Sequence, residues 1–351
     1  MNLRESFDVF VPTIVLADGE FGKTGGKTAN GVVMHSEVFD TRAIVDCETA
    51  GQSPTDILGK ADAPDVPVVE FVEDALDIAP EAEVLVIGVA PAGGELPDAW
   101  VEEIENAIRR GCDVVSGLHV FLGEDEYWSS LADQHDVRIF DVRKPPATNK
   151  LRVGDGSVDN IDALVVLTLG TDCAVGKRTT TVELYRAACK AGWNAGWVAT
   201  GQTGIMVGAH EGIVVDRVPA DFTAGIVEDM VKAVAQDHDI VFVEGQASLT
   251  HRAYSSVTLG VLHGSWPDAV VLAHDPDRTK RAHFERFAVD GVEKEKMLIE
   301  ELSDAFVAGI STWGDSEVEQ QRHGLVTANV YDESGATKLF DAIENTLEVG
   351  V

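Results

Sequence analysis

The decisive stretch of this sequence is Leu167-Thr-Leu-Gly170-Thr-Asp-Cys-Ala-Val-Gly176-Lys177-Arg178-Thr179-Thr180. It begins at the end of the apolar run Ala163–Leu169, which predicts a buried strand, and it leads into an amphipathic helix predicted over Thr179–Ala191. Its glycines allow backbone N–H groups to converge on an anion at the start of that helix, and Lys177 adds positive charge. The stretch therefore predicts a phosphate-binding loop between a strand and a helix.

The loop departs from the most common phosphate-loop pattern in two ways. Its glycines are separated by one residue more than usual, and Arg178 stands where a Ser or Thr usually ligates Mg²⁺. Because transfer of the γ-phosphoryl group of ATP relies on that metal, the loop better suits a ligand whose phosphates are bound and left intact, such as coenzyme A. Thr179 or Thr180 could still reach a metal, so an ATP- and Mg²⁺-dependent reaction stays open. The expected ligand contacts are Gly170, Thr171, Asp172, Cys173, Ala174, Val175, Gly176, Lys177, Arg178, Thr179 and Thr180.

Alternating strand and helix patterns run along both halves of the chain and meet near Pro145 and Pro146, which hold the backbone extended. We predict an α/β protein: an N-terminal Rossmann-like parallel-sheet domain over residues 1–146, then a P-loop NTPase-like α/β domain over residues 147–351. The first domain has predicted strands at Thr13–Ala17, Arg42–Asp46, Val68–Val72, Val84–Ile87, Asp113–Ser116 and Val137–Phe140, and a helix at Trp100–Arg110. Further strands are predicted at Asn194–Ala199, Ile240–Val243, Ala269–Leu272 and Gly324–Asn329, and helices at Ala220–Gln236 and Ala336–Leu347.

The composition is strongly acidic. Sixty Asp and Glu residues against 27 Lys and Arg give a formal net charge of −33, spread along a chain of ordinary apolar content. Such a surface repels nucleic acid and anionic membranes, and it is typical of a cytoplasm at molar salt, which predicts a halophilic host. Four dispersed cysteines and the absence of a signal or spanning pattern predict a cytoplasmic protein with neither a zinc site nor a disulfide framework. We also expect a homo-oligomer.

Several strings beside the phosphate loop carry a family resemblance that covers nearly the whole chain. They are Gly22-Lys-Thr-Gly-Gly-Lys27-Thr-Ala-Asn-Gly31, Ile87-Gly-Val-Ala-Pro-Ala-Gly-Gly94, Ser116-Gly-Leu-His119, Asp141-Val-Arg143-Lys-Pro-Pro146, Ala199-Thr-Gly-Gln-Thr-Gly204 and Val243-Glu-Gly-Gln-Ala-Ser-Leu-Thr-His251. With these strings the sequence resembles a two-domain P-loop family, long described as being of unknown function, that includes the D-glutamate N-acetyltransferases. The resemblance implies transfer of an acetyl group from acetyl-CoA, as co-substrate, to the amine of the small molecule D-glutamate.

Two alternatives to this activity stay open. The phosphate loop is also similar to that of dethiobiotin synthetase, which implies an ATP- and Mg²⁺-dependent ligase or kinase that would depend on Thr179. A nucleotide sensor without catalytic activity is the second alternative, in which the loop acts as a switch.

Acetyl transfer to an amine needs a base, because only the neutral amine attacks a thioester, and it needs donors for the oxyanion. Glu244 follows the apolar run Ile240–Val243, so its carboxylate is predicted at the carboxyl end of a central strand, where α/β sheets bind ligands. We take Glu244, His251 and Asp172 as candidate bases, in that order, and Gln246 or loop N–H groups as oxyanion donors. A carboxylate that merely caps a turn is the structural alternative for Glu244.

A dicarboxylate amino acid requires cationic partners, of which Arg is favoured because its fork binds a carboxylate through two hydrogen bonds. Basic residues inside glycine-rich segments stand out in so acidic a chain, and the candidates for substrate binding are Lys23, Lys27, Arg143 and Arg252. For each of them a surface ion pair is the alternative. His119 and His274 each follow a predicted strand, but a lone histidine there is more often structural, and with His251 they do not form a metal-binding pattern.

Overall fold

The computed structural model describes residues 1–7, 10–91 and 96–350, with side chains through residue 347. The described residues form two compact units, of which the first contains Met1–Pro145 and Gln202–Ala209 and the second contains Pro146–Gly201 and His210–Val351. Each unit has a sheet of parallel strands with helices around it. The predicted α/β fold with two parallel sheets is confirmed. In the parts of the chain described, no helix has the length and apolar character that crossing a bilayer requires.

The first unit is built on a six-stranded parallel sheet in the order β3-β2-β1-β4-β5-β6, the strand order of a Rossmann fold. Its strands are β1 (Val11–Leu16), β2 (Phe39–Val45), β3 (Val68–Val69), β4 (Val84–Ile87), β5 (Asp113–Ser116) and β6 (Ile139–Asp141). Its helices are α1 (Lys27–His35), α2 (Pro54–Leu58), α3 (Val72–Ile78), α4 (Asp98–Arg109) and α5 (Glu126–His135).

The central strands of this sheet are apolar because both faces are covered. All four residues of β4 are buried, and Leu85 and Ile87 pack in one cluster with the apolar side of α4, including Trp100 and Ile104. Helix α7 (Gln202–Val207) also belongs to this unit, where the Thr28 and Thr203 hydroxyls lie 2.7 Å apart.

The second unit is built on a seven-stranded parallel sheet in the order β15-β14-β11-β7-β10-β8-β9. Its strands are β7 (Leu164–Gly170), β8 (Ala195–Ala199), β9 (Glu211–Gly212), β10 (Ile240–Glu244), β11 (Ala269–His274), β14 (Phe306–Thr312) and β15 (Val326–Ala328), with a separate antiparallel pair, β12 (Lys280–Arg281) and β13 (Phe284–Ala288). Its helices are α6 (Lys177–Ala191), α8 (Ala220–Ala235), α9 (Ser255–Ser265), α10 (Val292–Leu302), α11 (Ser316–His323) and α12 (Gly335–Gly350).

The predicted elements differ from the structure in two instructive places. The run Val68–Val72 was expected to be one strand, but the strand stops at Val69 and Val72 already begins α3. Strand β14 lies outside the predicted elements, because Gly309, Ser311 and Thr312 interrupt its apolar pattern, although six of its seven residues are buried.

Candidate active site

The phosphate loop leaves the centre of the second sheet. Strand β7 pairs with β10 on one side and β11 on the other, and it ends at Gly170. Gly176 precedes α6 with φ 94°, a left-handed conformation that glycine adopts without strain. A Cβ atom at this position would lie 2.6 Å from the indole of Trp313. The loop therefore needs glycine at position 176 for its turn and for the close approach of Trp313.

Lys177 and Arg178 form the first turn of α6, where cations are electrostatically disfavoured by the helix dipole. Lys177 is buried and its Nζ donates to the Asp172 carbonyl at 2.6 Å. Burial lowers the pKa of the Lys177 ammonium and of the Arg178 guanidinium, and nearby Glu244 opposes both shifts. The first turn contains no acidic residue. Two cations and the free N–H groups of a helix N-terminus thus converge where an anion is stabilised.

Glu244 is the last residue of β10 and pairs in register with Thr168 of β7, which places it beside the loop. The side chain is buried, and the Thr200 N–H donates to its Oε2 at 3.2 Å. Burial raises the pKa of Glu244 to about 7, even though Arg178, Lys177 and the N–H groups of Thr200 and Gly201 pull it down. A carboxylate with this pKa can gain and release a proton near neutral pH.

Gln246 is held next to this carboxylate through Thr200. The Gln246 amide donates to the Thr200 hydroxyl at 2.9 Å, and that hydroxyl donates to the Glu244 carbonyl at 2.6 Å. The side chains predicted to serve as base and as oxyanion donor are therefore brought together at the carboxyl ends of β8 and β10.

Asp172 lies inside the loop with its side chain fully buried. Its Oδ2 accepts the Ala282 N–H at 2.9 Å, and the guanidinium groups of Arg281 and Arg278 approach within 3.5 and 3.7 Å. In this setting the carboxylate anchors the loop to the segment around β12, and its role as a base stays a prediction.

His251 is also fully buried, and its ring stacks on Tyr254 with the centroids 4.8 Å apart. Its Nδ1 accepts the Ala253 N–H at 3.2 Å, which assigns the proton of a neutral ring to Nε2. That Nε2 lies 3.8 Å from Asp172 Oδ1. Burial and the charge of Arg281 lower the pKa of His251. The structure therefore groups His251 with Asp172 and Arg281.

Sequence reasoning missed the two arginines that hold the loop from outside. Arg278 donates to the Cys173 carbonyl at 2.7 Å, and the buried Arg281 donates to the Thr171 carbonyl at 3.2 Å and to Ser248 at 2.8 Å. A signal was present, since both follow β11 within a basic stretch of an otherwise acidic chain.

Two aromatic residues at the loop were missed as well. The Trp313 indole donates to the Val175 carbonyl at 2.8 Å, and its ring lies 5.7 Å from that of Tyr331. Both side chains are partly exposed, at 44% and 36%. They supply an aromatic surface beside the start of α6.

The threonines that a metal-dependent reaction would use are buried. The Thr180 hydroxyl donates to Ser311 at 2.8 Å, whereas Thr179 is 6% exposed. The Thr171 hydroxyl lies 3.0 Å from Nδ1 of His274. Ala174 has φ 51°, which exposes its small side chain at the tip of the loop.

The predicted substrate-binding residues lie in different surroundings. Lys23 and Lys27 are exposed, and Lys23 pairs with Glu48. Arg143 is buried at 4% exposure, and Arg252 is exposed with its guanidinium 4.7 Å from the centre of the Phe287 ring. His119 is exposed. The string Ile87–Gly94, which contributes to the family resemblance, falls in part on residues 92–94, outside the described residues.

Among the residues that the structure describes, two groups of side chains bring possible metal ligands within 4.8 Å of one another: Asp172 with Cys173 and His251, and His274 with Glu319 and His323. In the first, two arginines already face the carboxylate, and a cation would have to compete with them. The second unites His274 with two residues of α11 that the sequence did not single out.

Comparison with known proteins identifies the family. Residues 47–145 match the Rossmann-like domain DUF1611_N and residues 152–337 match the P-loop domain DUF1611_C, both described as domains of unknown function. A crystal structure of a DUF1611 family protein from Anabaena variabilis shares 33% identity and a TM-score of 0.86, covering 95% of this chain and 99% of that one.

Two relatives carry a functional name. A D-glutamate N-acetyltransferase of Tritonibacter scottomollicae is 34% identical over 283 residues, which are 75% of this chain and 81% of that protein. A D-glutamate N-acetyltransferase of Pseudoalteromonas sp is 39% identical over 199 residues, which are 56% of this chain and span only 58% of that relative's length. The resemblance predicted from the sequence is confirmed, and the chain belongs to the DUF1611 family, with the Rossmann-like and the P-loop domain of that family in the same order.

Proposed function

We propose that this protein is an N-acetyltransferase that moves an acetyl group from acetyl-CoA to the amine of D-glutamate. The observation that carries the proposal is the pair of cations at the start of α6, the buried Lys177 and the half-buried Arg178, beside a buried carboxylate, Glu244, whose pKa is about 7. The two cations suit a phosphorylated co-substrate, and the carboxylate of Glu244 suits proton transfer. The relatives named D-glutamate N-acetyltransferase, at 34% and 39% identity, support the choice of reaction.

The phosphates of acetyl-CoA would lie on the loop Gly170–Thr180. Lys177 and Arg178 supply charge, and the N–H groups at the start of α6 supply directed donors. Trp313 and Tyr331 are partly exposed beside the loop and offer a surface on which the adenine of CoA can stack. Arg178 adds a charge where a hydroxyl would otherwise ligate Mg²⁺, which favours phosphates that are bound and not transferred.

In the proposed reaction Glu244 accepts a proton from the ammonium group of D-glutamate. The neutral amine attacks the thioester carbon and a C–N bond forms. The attacking nitrogen then loses its second proton to solvent water, the C–S bond breaks, and Glu244 passes its proton to the CoA thiolate as it leaves. Because the pKa of Glu244 is about 7, the carboxylate is largely ionised at mildly alkaline pH and can still return its proton. Gln246 is the side-chain donor proposed for the oxyanion of the tetrahedral intermediate.

The two carboxylates of D-glutamate require cations, for which Lys23, Lys27, Arg143 and Arg252 remain our candidates. Arg252 is restrained by the Phe287 ring, and Lys27 opens α1, so its ammonium stands at a helix N-terminus. We further propose a cytoplasmic homo-oligomer from a halophilic host that binds neither nucleic acid nor membrane. The net charge of −33 supports the proposal that the protein binds neither nucleic acid nor membrane.

The test is to incubate the purified protein in high salt with acetyl-CoA and a panel of D- and L-amino acids while thiol release and product mass are followed. We expect thiol release with D-glutamate and a product heavier by one acetyl group. A parallel reaction contains Mg²⁺ and ATP without acetyl-CoA. ATP hydrolysis with no thiol release for any amino acid would overturn the proposal in favour of the ligase or kinase alternative, whereas tight binding without turnover would favour a sensor.

A further inference from the structure

A second cluster of chemically active side chains lies where β11 meets α11. His274 is the last residue of β11, while Glu319 and His323 stand one helical turn apart on the same side of α11. Glu319 Oε2 lies 3.8 Å from His274 Nε2 and 3.2 Å from His323 Nε2. The side chains of all three are less than a tenth exposed.

These separations suit one shared metal ion. Nitrogen and oxygen ligands bind Zn²⁺ at about 2.0–2.2 Å, so two ligand atoms in a tetrahedral site are about 3.4 Å apart. The separations of 3.2 and 3.8 Å bracket that spacing, and one possible ligand atom from each of the three residues lies within 4.8 Å of the other two. Two imidazoles and one carboxylate form a donor set that suits divalent transition metals better than Mg²⁺ or Ca²⁺.

The ring nitrogen or carboxylate oxygen of each residue that would not bind the ion has a polar partner, as is usual for metal ligands. His274 Nδ1 lies 3.0 Å from the Thr171 hydroxyl, and His323 Nδ1 lies 2.8 Å from Glu293 Oε1. Arg322 binds the other oxygen of Glu319 at 2.8 Å. Such outer partners fix the tautomer and the orientation of ligands, and they leave two Nε2 atoms that lie 3.8 and 3.2 Å from the same carboxylate oxygen.

His323 gives an independent argument. Both of its ring nitrogens face carboxylates, Glu293 at 2.8 Å and Glu319 at 3.2 Å; a protonated ring donates to both, whereas a neutral imidazole has a single N–H and leaves one nitrogen facing a carboxylate without a proton between them. A metal ion between Nε2 and Glu319 satisfies both sides, since Nδ1 then donates to Glu293 while Nε2 binds the ion.

We propose that His274, Glu319 and His323 bind a divalent transition-metal ion of the zinc class, through both Nε2 atoms and Glu319 Oε2, with water as a fourth ligand. The ion fastens α11 to the end of β11. It also fixes the proton of His274 on Nδ1, so that this nitrogen donates to Thr171, the first residue after Gly170. The site therefore positions the phosphate loop through the hydroxyl of Thr171, whose carbonyl is held by Arg281, and it does not depend on the reaction proposed above.

The experiment uses the full chain, stripped with a chelator in high salt and titrated with Zn²⁺ and, in parallel, with Co²⁺. We expect one Zn²⁺ per chain by elemental analysis after desalting. The Co²⁺ form should show visible bands of a four-coordinate ion without a thiolate-to-cobalt charge-transfer band, because the site contains no cysteine. Absence of a stoichiometric ion in the wild type would overturn the proposal. A thiolate band that disappears in Cys173→Ser would assign the ion to the Asp172, Cys173 and His251 group instead.

A graded series of variants tests the ligands. Glu319→Gln and His323→Gln should weaken Zn²⁺ binding by more than roughly 100-fold, above the effect of losing an outer partner. Glu293→Gln removes an exposed outer partner without disturbing the interior and should weaken binding by roughly 10-fold. His263→Gln, on an exposed histidine of α9, is the matched control and should leave binding unchanged. Equal affinity in Glu293→Gln, His323→Gln and the control would contradict the assignment.

Discussion

Two segments of this protein pair a strand with a helix through a loop that ends in glycine and lysine. One runs from β1 through Gly22-Lys-Thr-Gly-Gly26 to Lys27 at the start of α1, and the other runs from β7 to Lys177 at the start of α6. Lys27 is exposed, whereas Lys177 is buried and its pKa is lowered by that burial. Similar sequence thus produces two different electrostatic settings.

The cause lies in what fills the space before each helix. At α1 the chain folds back on itself: a Cβ atom at Gly26 would lie 2.0 Å from the Glu20 carbonyl oxygen, and one at Gly25 would lie 2.2 Å from the Glu20 carboxylate. At α6 the left-handed Gly176 turns the loop outward, and the first turn holds two cations with no acid of its own. The first loop thus folds against the carboxylate of Glu20, whereas the carboxylate inside the second loop, Asp172, faces Arg281 and Arg278.

The largest effect should come from the carboxylate beside the second loop. Glu244→Gln keeps the shape of the side chain but removes the proposed base, so kcat should fall by roughly 10²–10⁴-fold. Steady-state thiol release measures it, and binding of acetyl-CoA by calorimetry shows whether the loop is intact. A kcat within a few-fold of wild type would exclude Glu244 as the base.

Lys177→Met should weaken the phosphate contacts of the second loop. We expect kcat/KM for acetyl-CoA to fall by roughly 100-fold, because a charge-assisted contact to phosphate, worth about 1.5–3 kcal/mol, is lost from a dry site. Lys190→Met, at the exposed last turn of the same helix, is the control and should behave as wild type. Equal values of kcat/KM for acetyl-CoA in the two variants would contradict a phosphate-binding role of the buried Lys177.

Lys27→Met asks whether the first loop serves the other substrate. We expect KM for D-glutamate to rise by roughly 10-fold, the effect of losing one charged hydrogen bond, while KM for acetyl-CoA stays constant. The two KM values are measured by varying one substrate at saturation of the other. A change in KM for acetyl-CoA instead would mean that both loops bind its phosphates.

The smallest expected effect is a shift in the pH dependence of kcat/KM when Arg178 is replaced. In the wild type, kcat/KM should decline as pH falls through about 7, because protonation of Glu244 removes the base. Arg178 lowers the pKa of Glu244, so Arg178→Met should move this acidic limb to higher pH. Arg186→Met, further along α6, serves as the control. An acidic limb that moves to lower pH in Arg178→Met would contradict the proposed pairing.

Local patterns made the phosphate loop and most strands predictable. Gly170, Gly176 and Lys177 are neighbours in sequence, and the buried runs of β4 and β7 are uninterrupted. Glu244 was predicted for the same reason, since the carboxyl end of an apolar strand marks the ligand edge of a parallel sheet.

Contacts between distant segments could not be predicted. Arg281 reaches Thr171 across 110 residues, and His274 meets Glu319 and His323 only because β11 and α11 are brought together by the fold. The pattern Glu319-x-x-x-His323 is present in the sequence, but by itself it does not predict a metal site, because the third residue of the group, His274, lies on a distant strand. The sequence likewise could not show that Asp172 faces two guanidinium groups.

The most direct test of the central claim compares acetyl-CoA with acetyl-pantetheine, which carries the same thioester without the phosphates and the adenosine. In the wild type, kcat/KM with D-glutamate should be higher for acetyl-CoA than for acetyl-pantetheine by at least roughly 100-fold. In Lys177→Met this preference should largely disappear, because the variant has lost the group that binds the phosphates. A preference of the same size in both proteins would contradict the account, since the phosphates would then be recognised somewhere other than at the start of α6.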